Sequence, residues 1–218
     1  MVLAKLPGAG DAKTRLAEVL TPGRRQTLQA AFLDDALAKA ATIGKTFLAF
    51  SPPEGVAEAA DFGQVEAFPQ AGASLGERMA NALERAIGRG YEPAILIGTD
   101  CPYLCPRHLR AAVRLLQDAD ICLGPALDGG YYLVGVRRLH RGIFDGMAWG
   151  SPHTLMMTIE RVRRLGLTYR LGPELPDVDT PADFEALVRD ATGRGGRRLH
   201  SPRVRGLLAS WYSDWQMP

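Results

Sequence analysis

Short apolar runs alternate with amphipathic stretches along the first 190 residues of the chain. The apolar runs predict strands at 2–4, 46–50, 65–68, 94–97, 120–123, 132–136 and 167–171. Apolar residues spaced three or four apart predict helices at 24–43, 53–61, 75–88, 106–117, 151–166 and 181–190. This alternation of buried strands and helices predicts an α/β fold, with an open, mostly parallel central sheet and helices on both faces.

Two of the predicted helices carry a start signal. Ser151 followed by Pro152, and Thr180 followed by Pro181, each place a hydroxyl side chain before a proline. Serine and threonine cap helix N-termini, and proline is favoured at the first helical position. We therefore expect Ser151 and Thr180 to cap the helices that follow them.

The pattern changes near residue 193, where a stretch of glycine and arginine predicts a linker. Residues 204–215 could form one more short helix. We therefore expect a body at 1–192 and, at 193–218, a basic linker with a tail helix. The tail carries Trp211, Tyr212 and Trp215. Such an aromatic cluster either docks on the body, which is the simpler interpretation, or joins two subunits of a homodimer.

Charge is unevenly distributed. The net charge is +2, from 26 Lys and Arg against 24 Asp and Glu, but residues 193–218 carry +4 and residues 1–192 carry −2. A nucleic-acid-binding protein needs a basic face on its folded body, so we expect no nucleic-acid partner. No apolar run of 18 residues predicts a membrane span, and the start lacks the pattern of a signal peptide. Three cysteines cannot all pair with one another, which favours a reducing cytoplasm.

The loop after the first strand combines glycines with three cations, Lys5, Lys13 and Arg15. Glycines leave backbone N–H groups free to approach a phosphate. The loop is not a P-loop, because Ala12 stands where a glycine should precede the Lys-Thr pair. A phosphate-binding loop and a solvated polar turn both remain open interpretations.

Asp100 directly follows the apolar run at 94–97. In an open α/β sheet, ligands lie past the carboxyl ends of the strands. A carboxylate at this place suits Mg²⁺ that is held jointly with substrate phosphates. A turn-forming or helix-capping aspartate is the alternative.

A second pair of carboxylates, Asp177 and Asp179, precedes the helix at 181–190. The stretch could be a simple helix cap or a second metal-binding site facing Asp100. It also resembles the nucleophile motif of haloacid-dehalogenase-like phosphatases. We reject that interpretation because the motif lies late in the chain and does not follow an apolar strand.

Asp128, Gly129 and Gly130 form a strong turn signal, followed by Tyr131 and Tyr132. A plain hairpin would need nothing more. The same residues also make an open surface of backbone and rings on which a ligand could lie.

Taken together, five stretches resemble one superfamily, the GT-A-like nucleotidyltransferases and nucleotide-diphospho-sugar transferases. They are LAKLPGAGDAKTRL (3–16), QAGASLGERM (70–79), LIGTDCPYL (96–104), GPALDGGYYLVG (124–135) and DVDTPADF (177–184). Within the superfamily, the chain resembles the bacterial branch called DUF2064 or "glycosyltransferase A family", which is similar to 2-phospholactate and molybdenum-cofactor guanylyltransferases. The resemblance runs from residue 1 to about 187 and implies a Rossmann-like GT-A fold.

The resemblance also implies roles for single residues. Contacts with the nucleotide are implied for Lys5, Lys13, Arg15, Gly72, Leu75, Gly76, Arg78 and Thr99. A Mg²⁺ or Mn²⁺ ion is implied on Asp100 and Asp179, with Asp177 beside them. The acceptor pocket is implied at Gly129, Gly130, Tyr131, Tyr132, Trp149 and Ser151. Catalytic roles fall to Lys13, Arg15, Asp100 and Asp128.

These roles define a hypothesis of a metal-dependent transferase with a nucleotide or nucleotide sugar and a small-molecule acceptor as partners. It would transfer a nucleotidyl group from an NTP to a phosphorylated or acidic acceptor, or a glycosyl group from a nucleotide sugar. Glycosyl transfer to a hydroxyl needs a base, and Asp128 is the candidate. The alternative is a non-catalytic module that keeps the fold and binds a nucleotide or a partner.

Overall fold

The computed structural model describes residues 1–8, 13–62 and 65–212. Its centre is a seven-stranded sheet in the order β3-β2-β1-β4-β6-β5-β7. The strands are β1 (Val2–Lys5), β2 (Phe47–Ser51), β3 (Glu66–Pro69), β4 (Ala94–Ile97), β5 (Ile121–Pro125), β6 (Tyr131–Val136) and β7 (Tyr169–Leu171). Strand β6 runs antiparallel to both β4 and β5, and the other pairs are parallel. The prediction of a mostly parallel sheet is confirmed.

Seven α-helices surround the sheet in the part of the chain that is described. They are α1 (Pro22–Ala41), α2 (Val56–Ala60), α3 (Leu75–Ile87), α4 (Pro106–Leu115), α5 (Thr154–Arg164), α6 (Pro181–Ala191) and α7 (Pro202–Tyr212). Single 3₁₀ turns lie at Thr14–Leu16 and Arg141–Phe144.

Two apolar cores lie on opposite faces of the sheet, because successive side chains of a strand point to opposite sides. In β1, Val2 and Ala4 belong to the core beneath α1, α4, α6 and α7, whereas Leu3 packs against the other core. The second core is formed with α3, α5 and the 3₁₀ turn that contains Phe144. Helices therefore cover both faces, as predicted.

The start of α5 corrects one prediction. The helix begins at Thr154, with His153 as its N-cap, and not at Ser151. The Ser151 hydroxyl instead accepts a hydrogen bond from the His153 N–H (3.2 Å), which closes a tight turn before the helix. The Thr180 prediction is confirmed: its hydroxyl caps α6 by accepting from the N–H of Asp183.

Helix α7 docks on α1 through two buried charged residues. The Asp35 carboxylate accepts hydrogen bonds from the N–H groups of Arg203 (3.3 Å) and Val204 (3.1 Å), so α1 caps the start of α7. The Lys39 ammonium donates to the Ser201 hydroxyl over 2.6 Å. Docking of the tail helix on the body is the simpler of the two interpretations given above. Trp215 lies outside the described residues, and the domain boundary at 192/193 stays a prediction.

Among the residues that the structure describes, no helix combines the length and the apolar character needed to cross a membrane.

Candidate active site

Two adjoining cavities open at the edge of the sheet where the parallel strands end. The first measures about 430 Å³ and the second about 270 Å³. Leu75, Gly98 and Asp100 line both of them, so Asp100 lies at their junction. This edge is where an open α/β sheet binds its ligands.

The first cavity is lined by cations. Lys5 ends β1, Lys13 and Arg15 lie in the loop that follows it, and Arg78 projects from the first turn of α3. Of the residues expected to contact a nucleotide, six line this cavity: Lys5, Lys13, Arg15, Leu75, Arg78 and Thr99. The concentration of positive charge suits an anionic ligand such as a polyphosphate.

Lys13 links two parts of the chain that are more than 160 residues apart in sequence. Its ammonium lies 2.8 Å from Asp100 Oδ1 and 3.0 Å from Asp179 Oδ1, and it donates to the Val178 carbonyl over 2.6 Å. The side chain of Lys13 is 4% exposed, whereas those of Asp100 and Asp179 are 45% and 37% exposed. The two aspartates therefore face each other, which is one of the arrangements left open by the sequence, with the lysine ammonium between them.

The environment keeps the ammonium charged. Burial on its own would lower the pKa of Lys13, but the attraction of Asp100 and Asp179 and their hydrogen bonds outweigh it. The pKa of Lys13 therefore lies above its ordinary value. Its backbone is left-handed, with φ 54° and ψ 42°, a conformation that non-glycine residues adopt rarely.

Asp100 is held by a hydrogen-bonded chain that begins inside α1. Gln29, which is buried, donates through Nε2 to the carbonyl of Lys5 (3.2 Å) and to the Thr99 hydroxyl (3.4 Å). Thr99 in turn donates to Asp100 Oδ1 over 3.2 Å. One buried amide thus ties the loop after β1 to the loop after β4.

Asp179 is held by the cap of α6. Asp183 Oδ2 accepts from the N–H of Asp179 (3.2 Å), from the N–H of Thr180 (2.8 Å) and from the Thr180 hydroxyl (2.7 Å). The N–H of Val178 also donates to the Asp100 carbonyl over 2.9 Å. The cap and this link fix the two carboxylates relative to each other.

The two carboxylates fit a Mg²⁺ or Mn²⁺ ion. Their Oδ1 atoms converge on one point, now held by the Lys13 ammonium, and hard carboxylate oxygens are the ligands that Mg²⁺ prefers. Over residues 1–8, 13–62 and 65–212, no group of three or more His, Cys, Asp or Glu side chains is placed to hold a metal. Phosphate oxygens and water would have to complete the coordination, which is the usual arrangement for Mg²⁺.

The second cavity has the opposite charge. Three carboxylates line it, those of Asp100, Asp128 and Asp177, and its described lining includes no lysine, arginine or histidine. Asp177 therefore faces this cavity and not the cation-lined one. Burial, followed by the repulsion of Asp128 and other carboxylates, raises the pKa of Asp177 to about 7.

Aromatic rings form the apolar part of the second cavity. Tyr131 and Tyr132 line it together with Trp149, Ser151 and Gly130, so five of the six residues predicted for an acceptor pocket lie on one cavity. The rings of Tyr131 and Trp149 meet edge to face, with their centroids 6.4 Å apart. The predicted hairpin turn is also present, and Asp128 Oδ1 accepts the N–H of Gly130 over 2.7 Å.

Three glycines expected at a ligand line neither cavity. Gly76 is buried in α3, where a Cβ would lie 2.9 Å from Trp149 and from the Phe144 carbonyl. Gly72, with φ 130°, turns the chain so that its carbonyl accepts from Arg78 Nε (3.1 Å). Gly129 packs on Pro152. These glycines therefore shape the walls, because close backbone approach requires the missing side chain.

Two glutamines of the site were not expected from the sequence. Gln29 and Gln70 both line the first cavity, and Gln70 donates to the carbonyls of Ala4 (2.9 Å) and Ala49 (3.0 Å). Gln70 lies inside the stretch at 70–79 and could have been singled out there. Gln29 gives no such signal, since a glutamine in an amphipathic helix usually faces water.

Among protein families, the chain matches the model described as "Uncharacterized protein conserved in bacteria (DUF2064)" over residues 27–151. Among individual proteins, a phosphoenolpyruvate guanylyltransferase of Sphaerobacter thermophilus is 28% identical over 190 residues, which cover 83% of this chain and 88% of the relative.

Solved structures show the same fold. A protein of Desulfovibrio desulfuricans G20, provisionally named a nucleotide-diphospho-sugar transferase, superposes with a TM-score of 0.84 at 31% identity, covering 96% of both chains. CMP:2-keto-3-deoxy-manno-octonic acid synthetase, solved with CTP, superposes with a TM-score of 0.53 at 14% identity, covering 96% of this chain and 97% of that one. The second likeness concerns the fold alone. The expected Rossmann-like nucleotide-diphospho-sugar transferase fold is confirmed.

Proposed function

Because this chain belongs to the DUF2064 family of bacterial proteins, we propose that it is a metal-dependent transferase acting on a nucleotide. The phosphates of the nucleotide bind in the first cavity, and the second reactant binds in the second cavity. The observation that carries this proposal is the position of Asp100, which lies on both cavities and opposite Asp179. Reaction between two bound groups is expected where their cavities meet.

The first candidate reaction is nucleotidyl transfer from an NTP. An oxygen of the acceptor attacks the α-phosphorus in line, and the bond from that phosphorus to the leaving pyrophosphate breaks. Lys5, Arg15 and Arg78 stabilise the charge on the phosphate oxygens. A Mg²⁺ or Mn²⁺ ion on Asp100 and Asp179 would neutralise charge on the phosphates when bound. Support comes from the guanylyltransferase relative.

The second candidate is glycosyl transfer from a nucleotide sugar, and the charge of the second cavity favours it. Asp128 and Asp177 can accept hydrogen bonds from sugar hydroxyls, and the Trp149 ring offers a flat apolar surface. The oxygen of a hydroxyl acceptor would bond to the anomeric carbon and give its proton to Asp128, whose Oδ1 also accepts from Gly130, while the bond from that carbon to the diphosphate oxygen breaks. The leaving group would then be a nucleoside diphosphate.

The leaving group separates the two reactions. The protein is incubated with Mg²⁺, each NTP or nucleotide sugar and a panel of acceptors, and pyrophosphate and nucleoside diphosphate are both quantified. Asp100→Ala should abolish turnover while the fold survives, and Asp118→Ala, at an exposed position before β5, is the matched control. If no nucleotide stabilises the protein in thermal unfolding, the proposal fails. Metal-independent nucleotide binding that persists in Asp100→Ala would support a non-catalytic module instead.

Assembly and location remain proposals. A homodimer through the aromatic tail would use the part of α7 that carries Trp211, which stacks under the Arg24 guanidinium at 5.1 Å. Sedimentation of the full chain tests it. A cytoplasmic location is supported by the free, buried thiols of Cys101, Cys105 and Cys122.

A further inference from the structure

The position of the Lys13 ammonium conflicts with that of a metal ion. A divalent cation bridging Asp100 and Asp179 would need the same oxygens, and the ammonium lies within 3.0 Å of both. Magnesium binds carboxylate oxygens at about 2.0–2.1 Å. The metal and the ammonium therefore cannot share the space between the two carboxylates.

The ammonium is well held where it lies. Its three N–H donors match three acceptors, the two carboxylates and the Val178 carbonyl, and its side chain is nearly inaccessible to water. The Phe32 ring lies below it at 5.4 Å. An ion arriving alone would have to break these contacts and leave a buried ammonium without its partners, which is unfavourable.

We propose that Lys13 is a built-in counter-ion, which excludes a divalent cation from Asp100 and Asp179 until nucleotide phosphates draw the ammonium away. The metal and the nucleotide then bind as one unit. The proposal rests on the proposed function, because the displaced ammonium needs an anionic ligand in the first cavity.

The cavity provides for this displacement. Lys13 lines the first cavity together with Lys5, Arg15 and Arg78, so phosphates held by the other three cations lie within reach of its side chain. Rotation of the long lysine side chain could carry the ammonium from the carboxylates to the phosphates. The carboxylates would lose one positive charge and gain two, while the ammonium would keep an anionic partner.

The test is a Mn²⁺ titration of the full chain without nucleotide, followed by electron paramagnetic resonance and by calorimetry. Lys13→Met should bind Mn²⁺ at least about tenfold more tightly than the wild type does, because the competing ammonium is gone. Lys45→Met, which removes an exposed cation that lines neither cavity, should leave the Mn²⁺ affinity unchanged. Equal or weaker Mn²⁺ binding by Lys13→Met overturns the proposal.

Lys13→Gln provides a second variant, since it keeps a donor and removes the charge. If neither variant folds, the wild type decides. Half-saturation with Mn²⁺ alone below about 100 μM would overturn the proposal, and half-saturation above that value supports it. If the wild type turns over a nucleotide but the Lys13 variants gain no Mn²⁺ affinity, the counter-ion proposal is refuted and the proposed function stands. A protein that never binds or turns over a nucleotide, yet gains Mn²⁺ affinity in Lys13→Met, refutes the proposed function and the release by nucleotide, but leaves the exclusion of the metal by Lys13 standing.

Discussion

Gly129 lies so close to Pro152 that a Cβ on the glycine would come within 1.9 Å of the Pro152 carbonyl oxygen. The glycine has φ 87°, and its own carbonyl accepts from the Leu155 N–H over 2.9 Å. This contact joins the turn between β5 and β6 to the segment before α5. The two segments carry Gly130 and Ser151, so it also sets the width of the second cavity.

Gly129→Ala should therefore lower the free energy of unfolding by more than about 2 kcal/mol, through the clash and the unfavourable φ. Activity should fall by more than the loss of folded protein explains, because the wall of the second cavity moves. Urea unfolding and steady-state kinetics measure both effects. Gly206→Ala is the control: it lies in open space in α7, and alanine there should stabilise the helix by about 0.5–1 kcal/mol. If Gly129→Ala changes neither the free energy of unfolding nor the activity, the contact between Gly129 and Pro152 does not hold the turn.

Replacing Asp183 tests whether the α6 cap positions Asp179. Asp183→Ala removes the acceptor of three hydrogen bonds and should cost about 1 kcal/mol of stability. Because Asp179 is then less fixed, turnover at limiting Mg²⁺ should fall more than turnover at saturating Mg²⁺. Glu185→Ala, at an exposed position of the same helix, should change neither quantity. A loss of stability without any change in the Mg²⁺ dependence would contradict the positioning role.

Neighbouring aspartates of α1 give a matched pair of variants for the docking of α7. Asp35→Ala leaves the N–H groups of Arg203 and Val204 without their carboxylate and should cost about 2 kcal/mol. Asp34 instead makes an exposed ion pair with Arg203 at 3.3 Å, so Asp34→Ala should cost less than about 1 kcal/mol. Chemical denaturation measures both. Equal effects of the two variants would argue against capping by Asp35.

The stability of the protein should depend on pH through Lys39. Burial lowers the pKa of Lys39 to about 8, although Asp35 opposes the shift. The unfolded chain keeps the ordinary value of 10.5, so it binds more protons than the folded chain between pH 8 and 10.5. Within that window this group makes the protein more stable as pH rises.

The measurement compares the wild type with Lys39→Met by urea unfolding between pH 7.5 and 9.5. The wild type should gain on the order of 1–2 kcal/mol relative to the variant across this range. The difference isolates Lys39 from thiols that titrate in the same range. Lys45→Met, at an exposed position, should follow the wild type. A wild type that gains no stability relative to Lys39→Met as the pH rises from 7.5 to 9.5 would refute the assignment.

Much of the fold could be predicted from the sequence, because each buried strand corresponds to a short run of apolar residues. Strand β4 has the predicted bounds, and β1 and β2 differ from prediction by one residue at their ends. The antiparallel direction of β6 could not be predicted from its own residues, because an apolar run does not show whether a strand is parallel or antiparallel to its neighbours. Only the turn at Asp128–Gly130 indicated a hairpin. The start of α5 was wrong because Ser151 and Pro152 form a turn that precedes the helix.

The sequence indicates only those residues of the candidate site that belong to a recognisable local pattern. The position of Asp100 follows from the end of β4, which precedes it, whereas the place of Asp179 beside it rested on the family resemblance. That Lys13 would bridge them does not follow, because 166 residues separate Lys13 from Asp179 and no local pattern records such a pair. Buried Gln29 was missed for a similar reason: its partners, Lys5 and Thr99, come together only when the sheet forms.

The way α1 holds α7 also sets an order of events during synthesis. Asp35 is translated 168 residues before Arg203, and Lys39 is translated 162 residues before Ser201. Before residues 201–204 are made, Asp35 and Lys39 lack their partners at the start of α7, although Lys39 can already donate to the Pro102 carbonyl. Complete dehydration of that helix must wait for the final segment to emerge. The face of α1 that carries Asp35 and Lys39 therefore reaches its full burial only after residues 201–204 have been made.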